Sequence, residues 1–260
     1  MKFCLAIGLH HSYFDIAIID SNHEIVEKRV CKYNKNMDVS NSIYSYYKLY
    51  FGNYKIAYVG VGISNNIEFK DDIVYNLQGA SRYNITKSLY KLFKKDVYVL
   101  DETMLAGLAM AYKLNSKSLL YLIVDNKVSN SFIYDKNVVV LDDDIDIRKG
   151  KNIDKCNKSA FKAECLKKDL DDEFVGIYFF SNNEIAKGIV NSWCKNLSEE
   201  IKRVTSTLKV NDIVFAGYLG QYYEDFRKYL KLPKNVNCVS TKDNRENTLL
   251  GISHLIYKDN

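Results

Sequence analysis

The chain has 260 residues, 47% of them hydrophobic and 27% charged, a globular composition with material for one large or two modest cores. Its net charge of +5 comes from lysines scattered among Asp, Glu and Asn. That pattern describes a solvated surface and gives little support to a nucleic-acid partner. No segment supplies the roughly 20 apolar residues that span a bilayer, and the start MKFCLAIGLHH lacks the continuous apolar core of a signal peptide. A cytoplasmic protein is expected. Its six cysteines form no CxxC pair, so free thiols are expected, with Cys4 and Cys194 in the core.

Strand-like apolar runs over Phe3 to Leu9, Phe14 to Ile19 and Glu24 to Val30 predict an opening antiparallel meander. A helix over Val39 to Tyr50 and a strand over Lys55 to Gly62 follow. After an Asn-rich loop come a helix over Thr86 to Phe93, a short strand Val97 to Leu100, Asp101 at its end, and a helix Met104 to Leu114. The theme then repeats. Leu119 to Val124, Ser131 to Tyr134 and Val138 to Leu141 make a second meander, Asp142 to Asp171 reads as an exposed loop before the helix-like AFKAECLKK, and helices and strands alternate to the end. The longest helix, Glu184 to Leu208, places Ile185, Ile189, Trp193, Leu197, Ile201, Val204 and Leu208 on one packing stripe. A strand Asp212 to Ala216, Gly217, a helix through Tyr229, a strand Val236 to Ser240 and a terminal helix through Ile256 complete the chain. Duplicated meanders that lead into helices predict two related α/β lobes, 1–101 and 102–260, with the last helix free to pack back on the first.

Two meanders with a carboxylate at a strand end between them resemble the actin-like ATPase and sugar-kinase superfamily, and within it the ROK family of sugar kinases and repressors. The resemblance implies a two-lobed, ribonuclease H-like α/β fold with a central interlobe cleft. In the first phosphate loop, which in the family reads like IDIGGTK, the matching stretch is Ile7-Gly8-Leu9-His10-His11-Ser12-Tyr13. The family's acidic position falls on Gly8, its paired glycines on His10 and His11, and Ser12 keeps a hydroxyl. Glycines in such a turn let backbone N–H groups reach phosphate oxygens, and two histidines oppose that approach.

Val59-Gly60-Val61-Gly62-Ile63 is similar to the glycine-containing strand before the family's substrate site. The run NLQGASRYNITKSLYKLFKKDVYVLDE, which begins at the pair Asn76-Leu77, is the most specific match. It implies Asp101 as the catalytic base, with Gly62, Asn76 and Thr103 on the substrate side, and with Leu100 where the family has a sugar-binding Asn. A base there would take the proton of a sugar hydroxyl as it attacks the γ-phosphorus. Asp is also a preferred helix N-cap, and the two roles are compatible. The second phosphate loop falls on Val124 to Asn137 with every glycine replaced. Asp125 brings negative charge to the place of the phosphates, and Asn126 and Lys127 are the candidate contacts, with an exposed hairpin lysine as the simpler reading of Lys127. Gly217, in IVFAGYLGQYYEDF, keeps one glycine of the adenosine loop, and Gly251 suits a closely packed helix.

The resemblance implies ATP and Mg²⁺ as cofactors, a small-molecule sugar as substrate and a homodimer. No structural zinc is expected, since Cys156 and Cys165 stand alone with no nearby His. Adjacent His10 and His11 point to opposite faces of a strand and cannot readily chelate one ion. Asp142-Asp143-Asp144 reads as a solvated acidic loop, and the aromatic run SIYSYYKLYFGNYK as a packed face through Ile43, Tyr46, Tyr47 and Tyr50. No helix-turn-helix precedes the first strand, so DNA binding is unsupported. Three functions follow: a ROK-like sugar kinase with degenerate phosphate loops, a non-catalytic relative that binds a sugar, nucleotide or protein, and another superfamily ATPase such as a dehydratase activator. The Asn-Leu to Asp-Glu stretch argues against the last.

Overall fold

The computed structural model describes residues 2–258 except 78, 79, 144, 172 and 174. The chain forms two compact units, 1–109 with 245–260, and 110–244. The expected boundary at 101/102 is the junction of a strand and a helix, and the units divide within that helix.

The first unit opens with β1 (Phe3–Leu9), β2 (Tyr13–Ile19) and β3 (Ile25–Lys32), an antiparallel meander, and β4 (Ile56–Ile63) and β8 (Val97–Asp101) add in parallel, giving the order β3-β2-β1-β4-β8. The central strands are apolar at nearly every position because both faces are covered. Leu5, Ile7, Leu9, Val59, Val61 and Ile63 pack toward α1 (Val39–Tyr46) and α2 (Ile85–Phe93). Cys4, Ala6, Ala17 and Ile19 face the other way, toward Leu105 of α3 (Glu102–Lys113) and Leu249, Ile252 and Ile256 of α8 (Asn244–Tyr257). This second face is lined with small residues, which lets the helices lie close.

The predicted helix through Tyr50 stops as an α-helix at Tyr46 and continues as one π-helical turn, Tyr47–Phe51. The wider turn buries Tyr47 and Phe51 together, while Tyr50 is exposed, which departs from the expected face. The Asn-rich stretch is no simple loop: β5 (Phe69–Lys70), β6 (Ile73–Leu77) and β7 (Ala80–Asn84) form a three-stranded antiparallel sheet. Its strands are too short and too rich in turn residues to register as periodic.

The second unit repeats the topology of the first. β9 (Ser118–Val124), β10 (Val128–Tyr134) and β11 (Asn137–Val139) are antiparallel, and β12 (Asp212–Ala216) and β13 (Asn237–Ser240) add in parallel, in the order β11-β10-β9-β12-β13. The core lies between this sheet and α5 (Glu184–Thr207), with α4 (Lys158–Leu166) alongside. Ile189, Trp193, Leu197, Ile201 and Val204 of the expected stripe are buried, whereas Ile185 at the helix start is exposed.

The segment after β11 is stitched to α5 more firmly than an exposed loop. Arg203 donates to the Asp146 carbonyl at 2.8 Å, Glu200 accepts from the Asn152 N–H at 2.8 Å, and the Trp193 indole donates to the Cys156 carbonyl at 2.9 Å. Within the acidic trio, Asp143 is exposed with Lys149 at 4.0 Å, and Asp144 is outside the described residues. After β12 the expected single helix is broken into α6 (Gly217–Gly220), α7 (Tyr223–Phe226) and a 3₁₀ turn, Arg227–Tyr229. The break aims two rings inward: Tyr223 stacks on Phe215 at 4.7 Å and Phe226 meets Trp193 edge-on at 5.2 Å. Cys4 and Cys194 are buried free thiols, as expected. Among the described residues no helix is long and apolar enough to cross a membrane.

Candidate functional site

In the first unit the turn between β1 and β2 is closed by the His10 N–H, which donates to the Tyr13 carbonyl at 3.0 Å, and the Tyr33 hydroxyl donates to the His10 carbonyl. His11 and Ser12 stand exposed at the tip. Gly8 pairs across the ladder with Asp15, and both belong to the small-residue face toward α8. A Cβ on Gly8 would lie 3.7 Å from Asp15 Oδ2. The carboxylate absent from position 8 is therefore supplied at nearly the same place by the facing strand.

Asp15 is an acid in a strand interior, its side chain 3% exposed, and a charge so placed needs partners. Arg245, in the first turn of α8, donates from Nε to Oδ2 at 2.8 Å and from Nη2 to Oδ1, a bidentate pair. His10 Nε2 lies 3.0 Å from Oδ2. Burial pushes the Asp15 carboxyl upward, but the hydrogen bonds from His10 and Arg245 outweigh it and hold the group below the usual carboxylate range. Tyr13 packs against both partners, its ring stacked on His10 at 4.5 Å and under the Arg245 guanidinium at 4.9 Å.

At the same end of the sheet, just past the C-terminus of β4, Glu102 is a buried carboxylate that sequence reasoning missed. It accepts from the Ser64 hydroxyl at 3.0 Å and from the Asn65 N–H at 2.7 Å, tying the loop after β4 to the start of α3. Burial raises its pKa, opposed by the Asn65 hydrogen bond and the nearby His10. Asp101 ends β8 and accepts the Thr103 N–H at 2.7 Å, so it does cap α3. Thr103 is buried. Gly62 is walled in by the Thr248 methyl and Leu105, and its missing side chain admits α8. Asn76 is on the separate three-stranded sheet, exposed, with φ of 53°.

In the second unit Asp125, Asn126 and Lys127 form the β9–β10 turn, with Asn126 and Lys127 exposed. Asp125 Oδ1 accepts the Asn126 N–H at 2.8 Å and Oδ2 accepts the Tyr218 N–H at 3.4 Å. Its carbonyl accepts the Lys158 N–H at 2.9 Å, and Lys158 Nζ sits 3.6 Å from the centre of the Tyr218 ring. Gly217 has φ of 82°, and a Cβ there would press on the Val124 carbonyl at 2.9 Å, so both conformation and approach require glycine.

These residues do not fit Mg²⁺ or a nucleotide phosphate well. Mg²⁺ seeks oxygen ligands in near-octahedral array, yet both oxygens of Asp15 are engaged by a fixed guanidinium. In the second turn Asp125 takes the Asn126 N–H and, from the start of α6, the Tyr218 N–H, and its charge would repel a phosphate by about 4 kcal/mol at 4 Å and an effective dielectric of 20.

No protein-family model matches the chain, and no curated protein matches it. Solved structures do. A ROK hexokinase from Thermus thermophilus superposes with a TM-score of 0.83 at 14% identity, covering 100% of both chains. A ROK family glucokinase from Streptomyces griseus, in complex with glucose and AMPPNP, gives 0.70 at 8% identity over 98% of this chain and 99% of that one. A ROK family transcriptional regulator, a homologue of the E. coli MLC protein, gives 0.77 at 12% identity over 98% of this chain and 78% of that one. At these identities the likeness establishes the fold: this chain is an α/β protein with the fold of ROK sugar kinases over its whole length.

Proposed function

We propose that the chain is a ROK-like sugar-binding protein that has lost ATP-dependent phosphoryl transfer. The observation that carries this reading is Asp125, which puts a carboxylate in the second phosphate turn and takes the Asn126 and Tyr218 N–H groups for itself. The Asp15–Arg245 pair beside Gly8 supports it independently. Sugar as the ligand class rests on the shared fold and on the glucose carried by the Streptomyces griseus glucokinase. That a ROK transcriptional regulator shares the fold supports a role without chemistry. Asp101, Thr103 and Gly62 gather around the β4–β8 end, and we assign the sugar to that side, with Asn76 as a further contact. A homodimer in the cytoplasm, without nucleic acid, completes the proposal.

A second reading keeps the kinase, with Asp101 as base and Ser12, Asn126, Lys127 and Gly217 near the nucleotide. It is favoured by the position of Asp101, paired with Ile63 at the end of β8. Calorimetric titration separates the two. The proposal expects heat with a member of a hexose panel and none with Mg-ATP. Micromolar Mg-ATP binding, with ATP consumption abolished by Asp101→Asn, would establish the kinase instead.

A further inference from the structure

We infer that Arg245 is an anion-binding residue that takes the place of a divalent cation at the first turn, so that a sugar phosphate monoester binds against it without metal. The inference rests on the reading of the chain as a sugar-binding protein.

Geometry gives the guanidinium two different edges. The Nε–Nη2 edge is committed to Asp15. Nη1 makes no hydrogen bond among the described residues, and the side chain is 46% exposed although the carboxylate beneath it is 3% exposed. One edge thus neutralises a buried anion, and the other faces outward with its donors available. The planar fork matches phosphate oxygens better than a point charge does.

Placement of the group also lowers the cost of binding. Asp15 holds one edge and Tyr13 covers one face at 4.9 Å, so little side-chain freedom remains to be lost when a ligand arrives. Asp15 is itself held by His10 as well, at 3.0 Å, which sets a second polar group on the same anchor. Burial raises the Tyr13 phenol above its ordinary pKa, and it remains a neutral O–H donor near neutral pH. The opposing charge nearby is Glu102, whose Oε1 is already engaged by Ser64 and Asn65.

The metal has no role in this arrangement. Arg245 lies between Asp15 and the ligand as part of the chain.

The test is calorimetry of the full chain with glucose 6-phosphate and with glucose, each in EDTA and again with excess Mg²⁺. Glucose 6-phosphate is expected to bind about tenfold or more tightly than glucose, equally in both buffers. The double variant Asp15→Asn with Arg245→Gln replaces the ion pair with neutral amides and leaves no buried charge unpaired; it should bind both ligands alike. Should that variant fail to fold by circular dichroism, Arg245→Lys, which keeps the charge and loses the second edge, should weaken glucose 6-phosphate selectively. Equal affinity for the two ligands, a requirement for Mg²⁺, or undiminished phosphate preference in the folded variant would overturn the inference. Turnover of Mg-ATP would overturn the sugar-binding reading, and is measured separately.

Discussion

Asp125 Oδ2 accepts the Tyr218 backbone N–H at 3.4 Å while its other oxygen holds the Asn126 N–H at 2.8 Å. An aspartate thereby links the tip of the β9–β10 hairpin to the start of α6. Its removal should have two opposite effects. Asp125→Ala is expected to cost about 1 kcal/mol of stability through lost N–H partners, read by urea unfolding, and to make AMPPNP binding detectable by calorimetry where the parent protein shows none. Unchanged nucleotide binding in the folded variant would mean that Asp125 is not what excludes the phosphate.

Glu102 gives a pH prediction. Its pKa is raised in the fold by burial, so the ionised form is disfavoured relative to the unfolded chain. Its folded state is favoured below the unfolded pKa near 4.5, and this contribution is lost as pH rises through the folded value. Glu102→Gln keeps an acceptor for Asn65 and removes the charge. It should therefore raise Tm at pH 8 and have little effect at pH 4. A fall in Tm at pH 8 would show that the ionised form is stabilised by its surroundings.

His23 has the opposite dependence. It occupies the β2–β3 turn with φ of 64°, its Nδ1 is 3.0 Å from Ser253 Oγ, and its ring centre is 4.0 Å from that of His254. Burial lowers its pKa, with Asp20 opposing. The unfolded chain therefore binds the proton more readily, and stability should fall as pH drops below about 6.5 toward the folded pKa. His23→Asn, which tolerates the left-handed conformation, should flatten the dependence between pH 7.5 and pH 5 in denaturant titrations. An unaltered slope would assign it to other groups.

Two glycines should respond with opposite signs. Gly251 lies against the Leu105 backbone where α8 crosses α3, whereas nothing approaches within 4 Å of a Cβ at Gly188 on α5. Gly251→Ala is expected to destabilise by about 3 kcal/mol through overpacking. Gly188→Ala should stabilise by roughly 0.5–1 kcal/mol through helix propensity. Chemical denaturation of both variants measures the contrast.

The frame of the protein was legible because buried strands declare themselves locally. Phe3 to Leu9 and Leu119 to Val124 are apolar almost throughout, and the second meander echoes the first closely enough to show the duplication. The capping role that Asp101 could hold beside a catalytic one is present. The site was only half legible. Asp15 in YFDIAII carried a signal, an acid among inward-facing positions, but its partner Arg245 is 230 residues away and nothing local marks it. Glu102 was hidden beside Asp101, where it reads as an ordinary acidic first turn. The β5–β7 sheet was missed because pairing between short strands, rather than their own composition, defines it.

The glycines at positions 60, 62 and 251 all lie where α8 nests against the sheet or against α3. The β1–β2 and β9–β10 turns, by contrast, carry His10, His11, Ser12, Asn126 and Lys127. The three glycines answer to assembly of the first unit, in which α8 must seat on strands made at the beginning of the chain. A deep mutational scan selected only for folded protein should then leave these three positions nearly intolerant while His11, Ser12, Asn126 and Lys127 accept most residues. Such a map would describe a chassis under selection for its joints, with its hairpin turns free to vary.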